Sequence, residues 1–238
     1  MSSLYLIRHG QAGTRGRYDA LSDLGRRQAY LLGQHLAAQK VPFTAFIAGC
    51  LNRQRQTAAE VWRAYRDAGL AAPDIVSDPN WNEFDMAGVF SEFAPLLSDD
   101  DPQFKQDYQE LLRKLEDEQS PIHHVWTDCD TQAMRAWMEG RYACRTESWE
   151  AFRQRVLIAR QSLAAYQPGD AVAIFTSAVP IAIWVAAALD VSDGKIMPLA
   201  GVLGNSAVTT MRLWDAELML FSFNGVPHLN APELRTFR

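Results

Sequence analysis

The chain has 238 residues, 48% of them hydrophobic and 21% charged, with a formal net charge of −5. That is enough apolar material for one large domain with a real core, and no linker divides it. The acidic balance argues against a general nucleic-acid surface, which needs a basic face, but not against an anionic substrate held by a few arginines in a cleft.

Leu4–Ile7 is a short apolar run fit for a central strand, and it ends in Arg8-His9-Gly10. A polar loop follows to Leu21. Ser22 has the chemistry of an N-cap, and Ala29, Leu32, Gly33 and Leu36 recur at helical spacing, which predicts a helix to about Gln39. Phe43–Ile47 is the next strand, a helix runs from near Leu51 to about Ala68, and Ile75-Val76 forms a short strand before Asn82-Glu83. From Ser91 to about Arg145 the character changes to amphipathic helical stretches, read as a helical cap inserted into a single domain spanning 1–238. Another helix is expected over Ser148–Tyr166. Ala207–Leu213 and Leu218–Phe223 alternate like strands around a turn at Asp215-Ala216. Strands alternating with helices predict an α/β fold, a three-layer α/β/α sandwich with a mainly parallel central sheet.

Three features bear on compartment. Ala171 through Leu189 carries no charge, but Thr176, Ser177 and Pro180 interrupt it, so a buried strand leading into a buried helix explains it better than a membrane span. Met1-Ser-Ser-Leu-Tyr-Leu-Ile lacks a basic start and its apolar run ends at Arg8, unlike a signal peptide. Cys50, Cys129 and Cys144, few and odd in number, read as reduced thiols. A cytoplasmic protein with neither a membrane nor a nucleic-acid partner is the expectation.

In open parallel sheets ligands gather outside the carboxyl ends of the strands, where Arg8-His9-Gly10 would lie. A neutral imidazole at His9 can attack phosphorus, Arg8 can donate charge-assisted hydrogen bonds to phosphate oxygens, and Gly10 would let an anion approach the backbone. Arg53 falls in the first turn of the second helix. Positive charge at a helix amino end is unfavourable unless an anion compensates it, which points Arg53 at a phosphate; Arg55 reads as a surface arginine. His123-His124 are adjacent and make a poor metal pair even with Asp128 and Asp130 nearby. His35 and His228 read as surface or structural residues. No metal site and no cofactor are implied.

At this point the chain resembles the histidine phosphatase superfamily, also called phosphoglycerate mutase-like. The resemblance rests on Leu6-Ile-Arg-His-Gly-Gln11, Leu21-Ser-Asp-Leu-Gly-Arg-Arg-Gln-Ala29, Arg53-Gln-Arg-Gln-Thr-Ala58 and Asn82-Glu-Phe-Asp-Met-Ala-Gly88, with Glu147–Arg153 and Asn205–Val208 as later landmarks. It implies His9 as the nucleophile that becomes phosphohistidine and Glu83 as the acid that protonates the leaving alcohol. Arg8, Gly10, Gln11 and Arg53 would then bind a small phosphorylated substrate. A phosphatase is favoured over a mutase because Gln-Ala-Gly-Thr-Arg after Gly10 is unlike the mutase version, and a homodimer is a compatible assembly. The family's second histidine maps to Ser177 in Phe175-Thr-Ser-Ala-Val-Pro-Ile181, so replacement of that histidine is expected. Serine can donate one bond to phosphate but brings no charge, and losing a charge-assisted contact costs about 1.5–3 kcal/mol. That would leave either a weakened enzyme or a retired one that binds phosphorylated ligands.

Overall fold

The computed structural model describes residues 1–13, 19–117, 119–214 and 217–237. The expected turn at Asp215-Ala216, and Thr14-Arg15 of the stretch after Gly10, lie outside the described residues. The elements in chain order are β1 (Ser2–Arg8), α1 (Asp23–Ala38), β2 (Phe43–Ala48), α2 (Asn52–Asp67) and β3 (Ile75–Ser77). A helical stretch follows with α3 (Met86–Asp100), α4 (Pro102–Leu115), α5 (Asp128–Met138), α6 (Trp149–Ile158) and α7 (Arg160–Leu163). The chain then returns through β4 (Ala171–Thr176), α8 (Ala178–Leu189), α9 (Ile196–Gly201), β5 (Val208–Trp214) and β6 (Glu217–Gly225).

The six strands form one sheet in the order β3-β2-β4-β1-β5-β6. β3, β2, β4 and β1 run parallel, and β5 and β6 add antiparallel strands beside β1. Strand side chains alternate between faces. Ile7 of β1, Phe46 and Ala48 of β2, and Ala171, Ala173 and Phe175 of β4 join Leu32 and Leu36 of α1 and Val61 and Tyr65 of α2 in one buried cluster. The intervening Leu4, Leu6, Val172 and Ile174 are fully buried on the opposite face. Helices flank this mixed, mainly parallel sheet on both faces, giving the three-layer sandwich. The uncharged stretch 171–189 is β4, buried along its whole length, followed by the largely buried α8. Among the described residues no helix is long and apolar enough to cross a membrane.

The chain divides into two compact units, Met1–Glu83 with Val156–Arg238, and Phe84–Arg155. The second unit is helical and packs its own core, with Phe84 stacked on Trp137 at 4.6 Å and Phe152 against both. It begins earlier than the composition change at Ser91 suggests, because Asp85 already caps α3 through the Gly88 N–H at 2.9 Å. Asp99 and Asp100 close α3, and Asp101 is the junction that caps α4. The single helix expected over 148–166 is broken after Ile158 and resumes as α7.

Candidate active site

The carboxyl ends of β1, β2 and β4 lie side by side in the first unit, and the residues just beyond them form the site. β1 ends at Arg8, opposite Thr176 of β4. The His9 N–H donates to the Thr176 carbonyl at 2.9 Å, and the His9 carbonyl accepts from the Ser206 N–H at 3.2 Å and from Asn205 Nδ2 at 3.3 Å. With the backbone held on both sides, one bond orients the ring: His9 Nδ1 lies 2.8 Å from the Gly10 carbonyl. A carbonyl can only accept, so Nδ1 carries the proton and Nε2 the lone pair. The ring is 2% exposed. Burial foremost, then the charges of Arg53 and Arg8, hold its pKa well below 6.5, against the smaller upward effect of the Gly10 bond. The result is a neutral imidazole with a defined nucleophilic nitrogen beside two buried cations.

Arg8, itself buried, donates from Nη1 to the carbonyls of Leu203 and, at 2.9 Å, Phe237. Arg53 lies in the first turn of α2, 6% exposed, with Nη1 3.2 Å from Asp19 Oδ1. Thr57, one turn further along α2, ties the two segments together: Oγ1 accepts from the Gly10 N–H at 3.1 Å and donates to the Arg53 carbonyl at 2.7 Å. Gly10 has a packing reason as well. A Cβ there would fall 2.3 Å from the Gly25 carbonyl oxygen, and one on Gly25 would fall 2.0 Å from the Gln11 carbonyl oxygen. The start of α1 therefore crosses the loop after β1 at backbone contact. Gln11 is fixed there, its N–H on Gln28 Oε1 at 2.8 Å and its side-chain oxygen accepting from Ser22 Oγ at 2.8 Å.

Glu83 enters from the end of the segment after β3. Asn82 Oδ1 accepts the Cys50 N–H beyond β2 at 2.5 Å, and the Trp81 carbonyl accepts from Thr176 Oγ1 at 2.6 Å and from Gln54 Nε2 at 3.1 Å. Glu83 Oε2 accepts the Val179 N–H in the first turn of α8 at 3.2 Å. Ser177 precedes α8, and its Oγ accepts from Gln54 Nε2 at 2.9 Å. The fully buried Gln54 thus joins the start of α2, the approach to Glu83 and Ser177. Neither Gln54 nor Thr57 was given a role by the residue pattern, although both lie in the Arg53–Ala58 segment that carries the family resemblance.

One expectation is corrected. The second histidine has not been lost to Ser177: His228 is present, 7% exposed, with Nε2 2.8 Å from Ser206 Oγ. Ser206 in turn donates its N–H to the His9 carbonyl, so His228 is linked to His9 through one residue. The chain beyond β6 folds back to the end of β1, a return that lies 51 residues past Ser177 and that no local pattern announces. The reading of a retired enzyme, which rested on that loss, goes with it. Among the described residues no group of three His, Cys, Asp or Glu side chains is placed to hold a metal ion.

Comparison with known proteins places the chain in a family and a fold. The family model described as histidine phosphatase superfamily (branch 1) matches residues 4–125 and 106–224. The mitochondrial serine/threonine-protein phosphatase Pgam5 of Caenorhabditis briggsae is 28% identical over 127 residues, which is 46% of this chain and 45% of that protein. The chain thus spans about half the length of that curated relative. Among solved structures, Bacillus stearothermophilus YhfR superposes with a TM-score of 0.66 at 20% identity, over 97% of this chain and all of that one. A mycobacterial glucosyl-3-phosphoglycerate phosphatase bound to inorganic phosphate superposes with a TM-score of 0.60 at 21% identity, over 94% of this chain and 97% of that one. At these identities the superpositions speak for the fold.

Proposed function

The chain belongs to the histidine phosphatase superfamily, branch 1, and from that premise we propose that it is a metal-independent phosphomonoesterase working through phospho-His9. The observation that carries the proposal is the Nδ1 bond of His9 to the Gly10 carbonyl, which leaves Nε2 as the nucleophile on a buried, neutral ring. Nε2 attacks phosphorus, the bond from phosphorus to the alcohol oxygen breaks, and Glu83 as a carboxylic acid protonates the departing alkoxide. Water then attacks the phosphoryl group, Glu83 as carboxylate takes its proton, and the P–N bond breaks to return neutral His9 and release phosphate. The phosphoryl group in flight needs electrostatic clamping more than covalent help, and Arg8 and Arg53 supply it without a metal. Gly10, Gln11 and Ser177 complete the wall around the transferred group.

The substrate in this proposal is a small phosphorylated alcohol in the cytoplasm, and no nucleic acid is involved. The helical unit 84–155 is an insertion within one phosphatase domain, and a homodimer is a compatible assembly. A 32P-labelled phosphomonoester panel, quenched in mid-turnover in the presence of a chelator, tests the chemistry. Acid-labile label on His9, absent from His9→Ala, is the expected result. Label on a serine or cysteine would overturn it.

A further inference from the structure

An oxyanion already occupies the start of α2. Leu51, at the N-cap position, has no side-chain oxygen to offer the first turn. Asp19 does this from outside the helix: Oδ1 accepts the Asn52 N–H at 3.1 Å and Arg53 Nη1 at 3.2 Å, and Oδ2 accepts Asn52 Nδ2 at 2.9 Å. The following residues are themselves pinned, with the Ala20 carbonyl accepting the Gly13 N–H at 2.9 Å and the Leu21 N–H donating to Gln56 Oε1 on α2 at 2.8 Å. The Asp19 side chain is 51% exposed, whereas that of Arg53 is 8% exposed. The carboxylate therefore meets a buried guanidinium from the solvent side.

A guanidinium and a first-turn N–H will take any oxyanion, carboxylate or phosphate. We propose that Asp19 is a built-in competitor for the phosphoryl group at Arg53, lowering the affinity of the site for inorganic phosphate and so easing product release. The inference rests on the phosphatase proposal, since it needs Arg53 to bind phosphoryl oxygens. The mechanism is electrostatic in either geometry. If Asp19 stays, its negative charge lies beside an incoming dianion; if it yields, phosphate must first displace an ion pair. Both weaken binding of the free anion.

Asp19→Asn is nearly isosteric and keeps an amide oxygen for the Asn52 N–H, so it removes the charge while sparing the cap. The competitive inhibition constant of inorganic phosphate should fall about two- to fivefold, the scale of a partly exposed ion pair. The gain should shrink as salt is raised toward 1 M, where charges are screened beyond about 3 Å. It should also vanish in an Arg53→Ala background. Damage to the loop would weaken phosphate binding, so tighter binding separates competition from a structural role. An inhibition constant that is unchanged or raised in folded Asp19→Asn overturns the inference and leaves the phosphatase proposal standing, as does a gain that survives Arg53→Ala. If the wild-type enzyme binds no phosphate, the phosphatase proposal falls and this inference falls with it.

Discussion

Thr57→Val isolates a hydroxyl that serves both the loop of the proposed nucleophile His9 and Arg53, the arginine proposed to bind phosphate. Thr57 is fully buried, and its Oγ1 is the acceptor for the Gly10 N–H and a donor to the Arg53 carbonyl. Valine keeps the branched shape but strands the Gly10 N–H, and an unsatisfied buried donor costs about 1–3 kcal/mol. The Arg53 carbonyl suffers less, because a helix carbonyl also accepts from the amide four residues on. The added methyl returns up to about 0.8 kcal/mol of burial, so the expected net loss of stability is about 0.2–3 kcal/mol. Gly10 also carries the carbonyl that fixes the proton on His9 Nδ1, so a loosened Gly10 presents Nε2 less often. That predicts a fall of about tenfold in kcat/KM, worth about 1.4 kcal/mol. Urea denaturation at neutral pH and turnover of a generic aryl phosphate measure the two effects. A Thr57→Val protein as stable as the wild type, with turnover unchanged, would mean that Gly10 is not held by Thr57, and would refute the reasoning.

Stability should also fall on acidification below pH 6.5. His228 has its pKa pushed down to about 3 by burial, with a smaller contribution from His35, and His9 is lowered in the same direction. Below 6.5 the unfolded chain binds protons that the folded chain refuses, so each such histidine contributes a slope of up to about 1.4 kcal/mol per pH unit, for His228 from 6.5 down to about 3. Denaturant titrations between pH 7 and 4 should show this slope reduced in His228→Gln; an unchanged slope would deny the burial effect. Gly25→Ala would place a methyl 2.0 Å from the Gln11 carbonyl oxygen, whereas nothing lies within 4 Å of a Cβ on Gly201. The first substitution should cost about 1–3 kcal/mol, lowering Tm by about 2–4 °C per kcal/mol, and Gly201→Ala should be near neutral; equal effects in a thermal melt would argue against the backbone contact.

Much of the sandwich was legible because its signals are local. Ser22 caps the helix it seemed to cap, Ala29, Leu32, Gly33 and Leu36 face the core, and the uncharged 171–189 run is apolar because both its strand and its helix are inside. The helical insertion was read less well. Asp85, which opens α3, sits amid residues that carried the family resemblance, and within the acidic run 99–101 a single aspartate, Asp101, separates two helices and caps the second. Gly10 has a second reason to be glycine, one that its sequence neighbours do not show. Freedom of approach for an anion was the sequence argument, but the nearest neighbour of its missing Cβ is the Gly25 backbone, fifteen residues away in the chain.

The site differs from the fold in how far apart its determinants lie. A positive charge in the first turn of α2 requires a negative partner, and that requirement is legible from Arg53 alone. The identity of the partner is not. The rule is satisfied equally by a substrate phosphate and by Asp19, 34 residues earlier in the chain. Local physical chemistry therefore specifies the vacancy of charge but not what fills it. The same holds behind His9, whose carbonyl must find donors and finds them at Asn205 and Ser206, the latter in a left-handed conformation at φ 56° and tied to His228. A histidine judged by its neighbours in sequence looks structural at position 228. Judged by its neighbours in space, it buttresses the residue that buttresses His9, because the sheet order brings β5, and with it residues 205–206, directly alongside β1.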